Sequence, residues 1–260
     1  MVQERDSKKQ VRLNKFLAQA GVTSRRKADA LIRSGRVRVN GKIVTEVGTK
    51  IDPQEQEVSL DGQVIKPFSR VYYLFYKPKG YLTTLYDPHG RPTIAQFLRS
   101  LPERVFPVGR LDAATEGLLL LTNDGELAHR LLHPRYGLKR RYEATVKGHP
   151  SEKKISQVLK RGVVVEGKRV FPKSIRLLRR GPRHSTYEIV LGEGRKREVR
   201  KIFASLGHPV LHLRRTAFGP LNLKGLRPGE IRPLSPKEIK ALRQAVGLLS
   251  SNNSKGGDDG

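Results

Sequence analysis

Apolar residues recur along this chain with two different periods. In VRLNKFLAQAG, residues 11–21, Leu13, Phe16, Leu17 and Ala20 follow i, i+3, i+4, i+7 and Gly21 supplies a stop, which predicts a short amphipathic helix. In TSRRKADALIRSG, Thr23 or Ser24 can cap a second helix that turns Ala28, Leu31 and Ile32 inward and ends at Gly35. Its outward residues include Arg25, Arg26, Lys27 and Arg33. VRVNGKIV then sets Asn40-Gly41 between two β-branched runs, a hairpin signal, because both central residues of a type I′ turn need positive φ. Two helices and a hairpin make a small domain over residues 11–65. Pro67 in KPFS stops any continuing element, so residues 66–69 are expected to be a linker.

From Val71 the period changes. VYYLFYKPKGYLTT reads as a buried strand running into a Lys-Pro-Lys-Gly turn, and RRYEATVKG, VVVEGKRVFP, STYEIVLGEG and HPVLHLRR read as further strands. Two stretches favour helix instead. SEKKISQVLKRG turns Ile155, Val158 and Leu159 inward; RKREVRKIFASLG, starting near Arg195, turns Val199, Ile202, Phe203 and Leu206 inward and stops at Gly207. Strands without regular helical crossovers predict a mixed, mainly antiparallel sheet with peripheral helices, and the chain as a whole is expected to be α+β. This larger domain spans 70–234. A C-terminal helix with Ile239, Leu242 and Val246 at helical spacing follows in 235–249, and residues 250–260 are polar and Gly-rich, as disordered tails are. Residues 1–10 read as a polar arm.

Composition adds a partner. Among 260 residues there are 52 Lys plus Arg against 24 Asp plus Glu, a net charge of +28, which is more than solubility requires and favours a polyanion: RNA, DNA or an anionic membrane. Membrane is the weakest of these, because the longest apolar run, Leu118 to Leu121, falls far short of the ~20 residues of a spanning helix. MVQERDSKKQ has no apolar centre and does not read as a signal peptide. The absence of cysteine removes disulfides and thiolate metal sites, and a cytoplasmic location is expected. His129/His133 and His208/His212 sit at i, i+4, but neither pair encloses a Glu and no third ligand is evident, so no metal is expected.

The chemistry centres on GRLDAATEGLLLLTNDG, residues 109–125. Asp112 precedes an apolar run closed by Thr122-Asn123-Asp124-Gly125, which predicts a central strand entered from a loop and left by a turn. A carboxylate on such a loop is commonly a turn residue or a helix cap, and the pattern alone leaves that role open beside a chemical one. By the same measure Tyr142 is an ordinary strand tyrosine, and for Arg25 to Lys27 the pattern alone leaves a solvated helix face and an RNA contact equally open.

The motifs go further together than singly. LNKFLAQAGVTSRRKADALIRSGRVRVNGKIV resembles the RNA-binding domain shared with small-subunit ribosomal protein four, which implies that Ser24, Arg25, Arg26 and Lys27 contact RNA phosphates, with Arg33, Arg36 and Arg38 as further contacts. YKPKG, GRLDAATEGLLLLTNDG, KRRYEATVKG and EGRKREVRKIFASLGHPVLHLRR, in that order, are similar to the motifs of the pseudouridine synthases of bacterial ribosomal RNA. The likeness runs from about Val11 to about Leu234 and is greatest toward the large-subunit enzymes, with the small-subunit enzymes as close relatives. It implies a reaction in which uracil is cut from its ribose, turned and rejoined through a ring carbon, with no cofactor. Asp112 would attack the sugar's anomeric carbon or remove the adjacent proton, two roles between which the sequence does not choose. Arg110 would hold that carboxylate charged and help fill the gap left by the everted base. Tyr142 would pack on the uracil and could serve as a base. Arg200 would pair with Asp112, while Val199 lines the uracil pocket. Arg195, Lys196, Arg197 and Lys201 would meet phosphate or solvent, and Lys77 and Lys79 would shape a loop near the cleft. Glu198 stands where this family leads one to expect Gln, which bears on any donor role there.

The expected partner is therefore ribosomal RNA, naked or in pre-ribosomal particles, acted on by a monomer; the most direct expectation is the 23S RNA. Three other readings stay open: the same reaction on 16S RNA, a non-catalytic RNA-binding assembly factor, and generic DNA binding through charge. Binding alone has no need of a carboxylate facing a polyanion, and charge alone does not account for the order of the motifs.

Overall fold

The computed structural model describes residues 10–66 and 69–249. The expectations for most of the N-terminal arm, for Pro67 in the linker and for the tail beyond 249 lie outside the described residues. The described residues form two compact units, the first taking those up to Arg70 with Pro102–Arg104, the second Val71–Leu101 and those from Val105 onward.

In the smaller unit, helix Leu13–Gln19 buries Leu13, Phe16 and Leu17, and helix Arg25–Arg33 buries Ala28 and Ile32. Of the two candidate caps the chain uses Ser24, whose Oγ accepts the Lys27 N–H at 3.3 Å and satisfies a donor the first turn would leave orphaned. Strands Val37–Val39 and Lys42–Ile43 close around Asn40 and Gly41, with φ of 48° and 77°. A second hairpin, Val58–Leu60 with Gln63–Val64, turns at Asp61-Gly62 and extends the sheet to four strands. Its Asp-Gly carries the same turn signal as Asn-Gly.

The larger unit is built on one sheet whose main path runs Ser174–Arg180, His184–Leu191, Arg140–Lys147, Val210–Phe218, Glu116–Thr122, Tyr72–Lys77, Ile231–Pro233. Every pairing in it is antiparallel except that of Val210–Phe218 with Glu116–Thr122. The leucine strand Glu116–Thr122 is thus interior and covered on both faces. Leu118 and Leu120 pack with Leu74, Leu127 and Leu242, while Leu119 and Leu121 pack with Phe75, Ile94 and Val105 on the other side. Burial on both faces explains why the run is continuous rather than alternating. Truncating any one of these leucines to Ala would cost about 2–5 kcal/mol.

Gly117 lies where the leucine strand pairs with Arg215. Its φ is +108°, and a Cβ there would stand 2.3 Å from the Arg215 carbonyl oxygen, so only glycine admits the two backbones at this spacing.

Several elements depart from the sequence pattern. Thr122-Asn123-Asp124-Gly125 does turn the chain, but it also starts helix Gly125–Leu132: Asp124 Oδ1 accepts the N–H groups of Glu126 and Leu127. Ser174–Arg180 is an edge strand exposed along nearly all its length, so it shows no alternation. The helix expected from near Arg195 begins three residues later, at Glu198, because Arg197 takes a left-handed conformation with φ of 53°. After the sheet, helix Pro236–Ala245 is held at its start by a reciprocal Ser235/Glu238 capping box and packs Leu242 and Val246 into the core of the leucine strand. No helix among the described residues is long and apolar enough to cross a membrane.

Candidate active site

Asp112 sits on the loop that enters the leucine strand, and this loop is pinned at each carbonyl from Leu111 to Thr115. Leu111 O accepts from Thr83 Oγ1 at 2.6 Å, Asp112 O from the Thr115 N–H at 2.9 Å, and Ala113 O from the Gly80 N–H at 2.7 Å. Ala114 O accepts from Arg200 Nη2 at 3.0 Å and Thr115 O from Lys77 Nζ at 2.8 Å. A loop so tied has few conformations left to it, so the direction in which the Asp112 side chain leaves the backbone is set before anything binds.

That side chain lines a cavity of about 520 Å³. Leu111, Leu191, Leu213, Val199 and the ring of Tyr142 make its apolar walls; Arg110, Arg195, Lys196 and Arg197 supply the charge. Its elements come from four separate stretches: the loop at 109–115, strand Arg140–Lys147, residues 191–199 from the end of strand His184–Leu191 into the next helix, and strand Val210–Phe218. Tyr142 and Val199 are buried, Asp112 is half-buried, and Arg110, Lys196 and Arg197 are exposed. A volume of this size suits one nucleotide-sized ligand.

The Asp112 carboxylate makes no ion pair and caps no helix among the described residues. The capping role that the sequence left open for it belongs to Asp124, a buried acid twelve positions along the same motif, which also accepts from Tyr72 Oη at 2.8 Å. Asp112 instead keeps its carboxylate for the cavity.

Arg200, expected to pair with Asp112, has other partners in the structure. Arg200 lies in the first turn of helix Glu198–Ser205, at the border of the apolar face, and its guanidinium is taken up by two main-chain carbonyls, Val210 O at 3.1 Å and Ala114 O at 3.0 Å. The physical reason is that the guanidinium is a planar fork of donors, so it reaches the part-buried carbonyl of Val210 and the exposed one of Ala114 at once. Arg200 thus holds the loop that carries Asp112, and it does not line the cavity.

Lys77, which the sequence pattern puts at a loop, is fully buried. Its ammonium donates to Pro78 O and Thr115 O, both at 2.8 Å. Burial pushes its pKa down to about 8, while the charges of Asp112 and Glu116 pull it back up. Glu198 is also buried against the cavity, and its Oε2 accepts the Arg195 N–H at 2.9 Å. Burial raises the Glu198 pKa. Its role here is that of an acceptor holding the 195–197 turn, a role that the side-chain carbonyl of Gln can also fill. Arg195, Lys196 and Arg197, expected on a helix facing phosphate or solvent, are instead brought to the cavity by that turn.

Thr115, Leu191 and Leu213 also line the cavity and Thr83 secures its loop, four residues that the sequence pattern did not single out for the site; Lys77, expected to shape a loop near the cleft, holds the same loop through Thr115 O. In the smaller unit Ser24, Arg25, Arg26 and Lys27 are exposed together at the start of helix Arg25–Arg33, as are Arg33 and Arg38. Arg36 is exposed as well, but Asp61 neutralises it in a bidentate pair. Among the described residues no cluster of three His, Asp or Glu could hold a metal ion.

The profile of the family described as RNA pseudouridylate synthase matches residues 71–205, and that of the S4 domain matches residues 11–58. An uncharacterized RNA pseudouridine synthase of Aquifex aeolicus is 47% identical over 240 residues, 92% of this chain and 96% of that one. Ribosomal large subunit pseudouridine synthase B of Bacillus subtilis is 43% identical over 234 residues, covering 89% and 95%. Among solved structures, a crystal structure of a pseudouridylate synthase is 32% identical with a TM-score of 0.63, over 89% of this chain and 99% of that one. The cavity, the loop of Asp112 and Tyr142 all fall within residues 71–205 or on strands that pair with them. With the family's profile across most of the larger unit and such relatives along nearly the whole chain, this protein belongs to the RNA pseudouridylate synthases, a family of isomerases, and carries an S4 domain.

Proposed function

We propose that the protein isomerises a uridine of ribosomal RNA, in the 23S RNA of the large subunit, to pseudouridine, with Asp112 as the catalytic carboxylate. The observation that carries this reading is a single one: Asp112, on a loop whose carbonyls from Leu111 to Thr115 are all held and forming no ion pair among the described residues, lines an apolar-walled cavity beside the Tyr142 ring.

The reaction breaks the bond between N1 of uracil and C1′ of the ribose and forms one between C5 and C1′. The C5 proton is lost and N1 gains one, so the atoms balance with no oxidant and no donor group. What the cavity must supply is a carboxylate at the sugar, a surface on which the freed ring can turn, and exclusion of water from C1′. Asp112 supplies the first, whether by attack on C1′ or by removal of the neighbouring sugar proton. Tyr142, Val199, Leu191 and Leu213 supply the second and third, with the Tyr142 ring stacked on the base. The nucleotide must leave its stack to enter. Arg110, exposed at the cavity, fits the space the base vacates, and Arg195, Lys196 and Arg197 fit the flanking phosphates. Arg200 acts through the loop rather than on the substrate.

In the S4 domain, Arg25, Arg26 and Lys27 present a cationic helix start that no described carboxylate neutralises, suited to an RNA backbone; the Ser24 hydroxyl sits beside them. The choice of the large-subunit RNA is supported by the likeness to the Bacillus subtilis enzyme named for that subunit. Mapping pseudouridine in both ribosomal RNAs from cells with and without this protein tests the proposal. Loss of one mark from the 23S RNA is expected. Loss from the 16S RNA alone reassigns the substrate, and no loss from either contradicts the reading.

A further inference from the structure

The five clamps on the Asp112 loop differ in kind. Two come from main-chain N–H groups, Gly80 and Thr115, and two from charged side chains, Arg200 and Lys77. The fifth is the neutral hydroxyl of Thr83, and it acts twice: Thr83 Oγ1 donates to Leu111 O at 2.6 Å and accepts the Leu111 N–H at 3.1 Å. Both main-chain groups of the residue immediately before Asp112 therefore rest on one buried oxygen. Leu111 is itself buried, and its side chain forms part of the cavity wall.

Thr83 has the rigidity to serve as an anchor. Its neighbour Leu82 donates to Pro92 O at 2.9 Å and accepts from the Ile94 N–H at 3.0 Å, and Ile94 is fully buried against Phe75 and the leucine strand. The path from the second core to the catalytic loop thus runs through Ile94, Leu82 and Thr83 to Leu111.

We infer that Thr83 is a positioning residue for the isomerisation, its hydroxyl fixing the backbone of Leu111 and through it the place of the Asp112 carboxylate in the cavity. The inference rests on the reading of Asp112 as the catalytic group. Thr83 does not line the cavity. Replacing it by Val keeps the shape, removes both hydrogen bonds and leaves two buried main-chain groups of Leu111 to find other partners, so the loop must shift.

The test uses the full-length protein and unmodified ribosomal RNA transcribed in vitro, with single-turnover conversion and RNA affinity measured side by side. Thr83→Val is expected to slow conversion by about 10–100-fold, the scale of a misplacement of about an ångström, with affinity within about twofold of wild type and no rescue by excess RNA. Thr83→Ser, which keeps the oxygen, is expected to return to within about threefold of wild type. Wild-type conversion by the Val variant overturns the inference. So does a loss of affinity equal to the loss of rate, since that is a structural effect alone. If Thr83→Val does not fold, Thr83→Cys replaces it: the Cys variant, with a weak sulfur donor in nearly the same volume, is expected to be slower than the Ser variant, and equal rates overturn the inference. Asp112→Asn is run in the same assay. If that variant is active the reading of Asp112 fails; if it is inactive while Thr83→Val is fast, only the role of Thr83 fails.

Discussion

Arg200 donates to the main-chain carbonyl of Ala114, two residues beyond Asp112, and its second arm holds Val210 O at the start of the strand that carries Leu213. One guanidinium therefore ties the Asp112 loop to a cavity wall. Arg200→Lys keeps the charge but loses the planar fork that spans both carbonyls. The expected result is a fall in kcat of about tenfold or more with KM changed little, as befits a group that positions rather than binds. Steady-state kinetics on unmodified ribosomal RNA checks this. A rise in KM with kcat unchanged would instead place Arg200 on the RNA.

Lys77 gives the fold a pH dependence of definite sign. Burial lowers its pKa from 10.5 to about 8, despite the opposing pull of Asp112 and Glu116. Between about 8 and 10.5 the unfolded chain therefore holds a proton that the folded chain has released. Stability from this group rises with pH across that window, by at most about 1.4 kcal/mol per pH unit. Buried tyrosines oppose it near the upper end, because Tyr72 and Tyr76 are raised by burial and resist ionising in the fold. Comparison with Lys77→Met isolates the lysine. Urea denaturation at pH values of about 7.5, 8.5 and 9.5 is expected to show wild type gaining stability relative to the Met variant as pH rises.

Gly117 admits the Arg215 backbone next to the leucine strand. Gly117→Ala would place a Cβ 2.3 Å from Arg215 O at a φ of +108°. The expected loss of stability is about 3 kcal/mol or more, since neither strand can yield without disturbing its pairing. Chemical denaturation of the purified variant measures it.

Charge on the S4 domain is expected to govern affinity without touching the chemistry. Replacing Arg25, Arg26 and Lys27 together by Ala should weaken RNA binding and flatten the dependence of log K on log salt by roughly one for each phosphate no longer neutralised. The single-turnover rate at saturating RNA should stay at the wild-type value. A lower saturating rate would show that these residues do more than hold RNA.

The parts of the fold that can be read from residues alone are those where one local signal decides. Leu118 to Leu121 can be read because a strand buried on both faces needs no polar alternation, and Asn40-Gly41 because positive φ at two successive residues has few solutions. Helix Gly125–Leu132 hides behind its own cap, since Asn-Asp-Gly is a turn signal and eight residues give the helical period little room to show. Strand Ser174–Arg180 is masked by exposure on both faces. The start of helix Glu198–Ser205 is misjudged from the pattern because Arg195, Lys196 and Arg197 are good helix formers, and what stops them is the Glu198 carboxylate gripping the Arg195 N–H. Motif order brings out Asp112, Tyr142 and Val199, which the fold gathers in the lining of one cavity. The partners of Arg200 are not, because they are carbonyls, and any residue type supplies a carbonyl. Thr83 carries no signal for the same reason: what it binds is the backbone of Leu111.

The central claim is that the Asp112 carboxylate performs the isomerisation, and Asp112→Asn tests it most directly. Asn is nearly isosteric, and the five clamps on the loop are main-chain contacts that this change leaves in place. Single-turnover conversion of uridine to pseudouridine in unmodified ribosomal RNA, with binding measured on the same sample, is expected to show affinity retained and product absent. Conversion at the wild-type rate by the Asn variant would contradict the account.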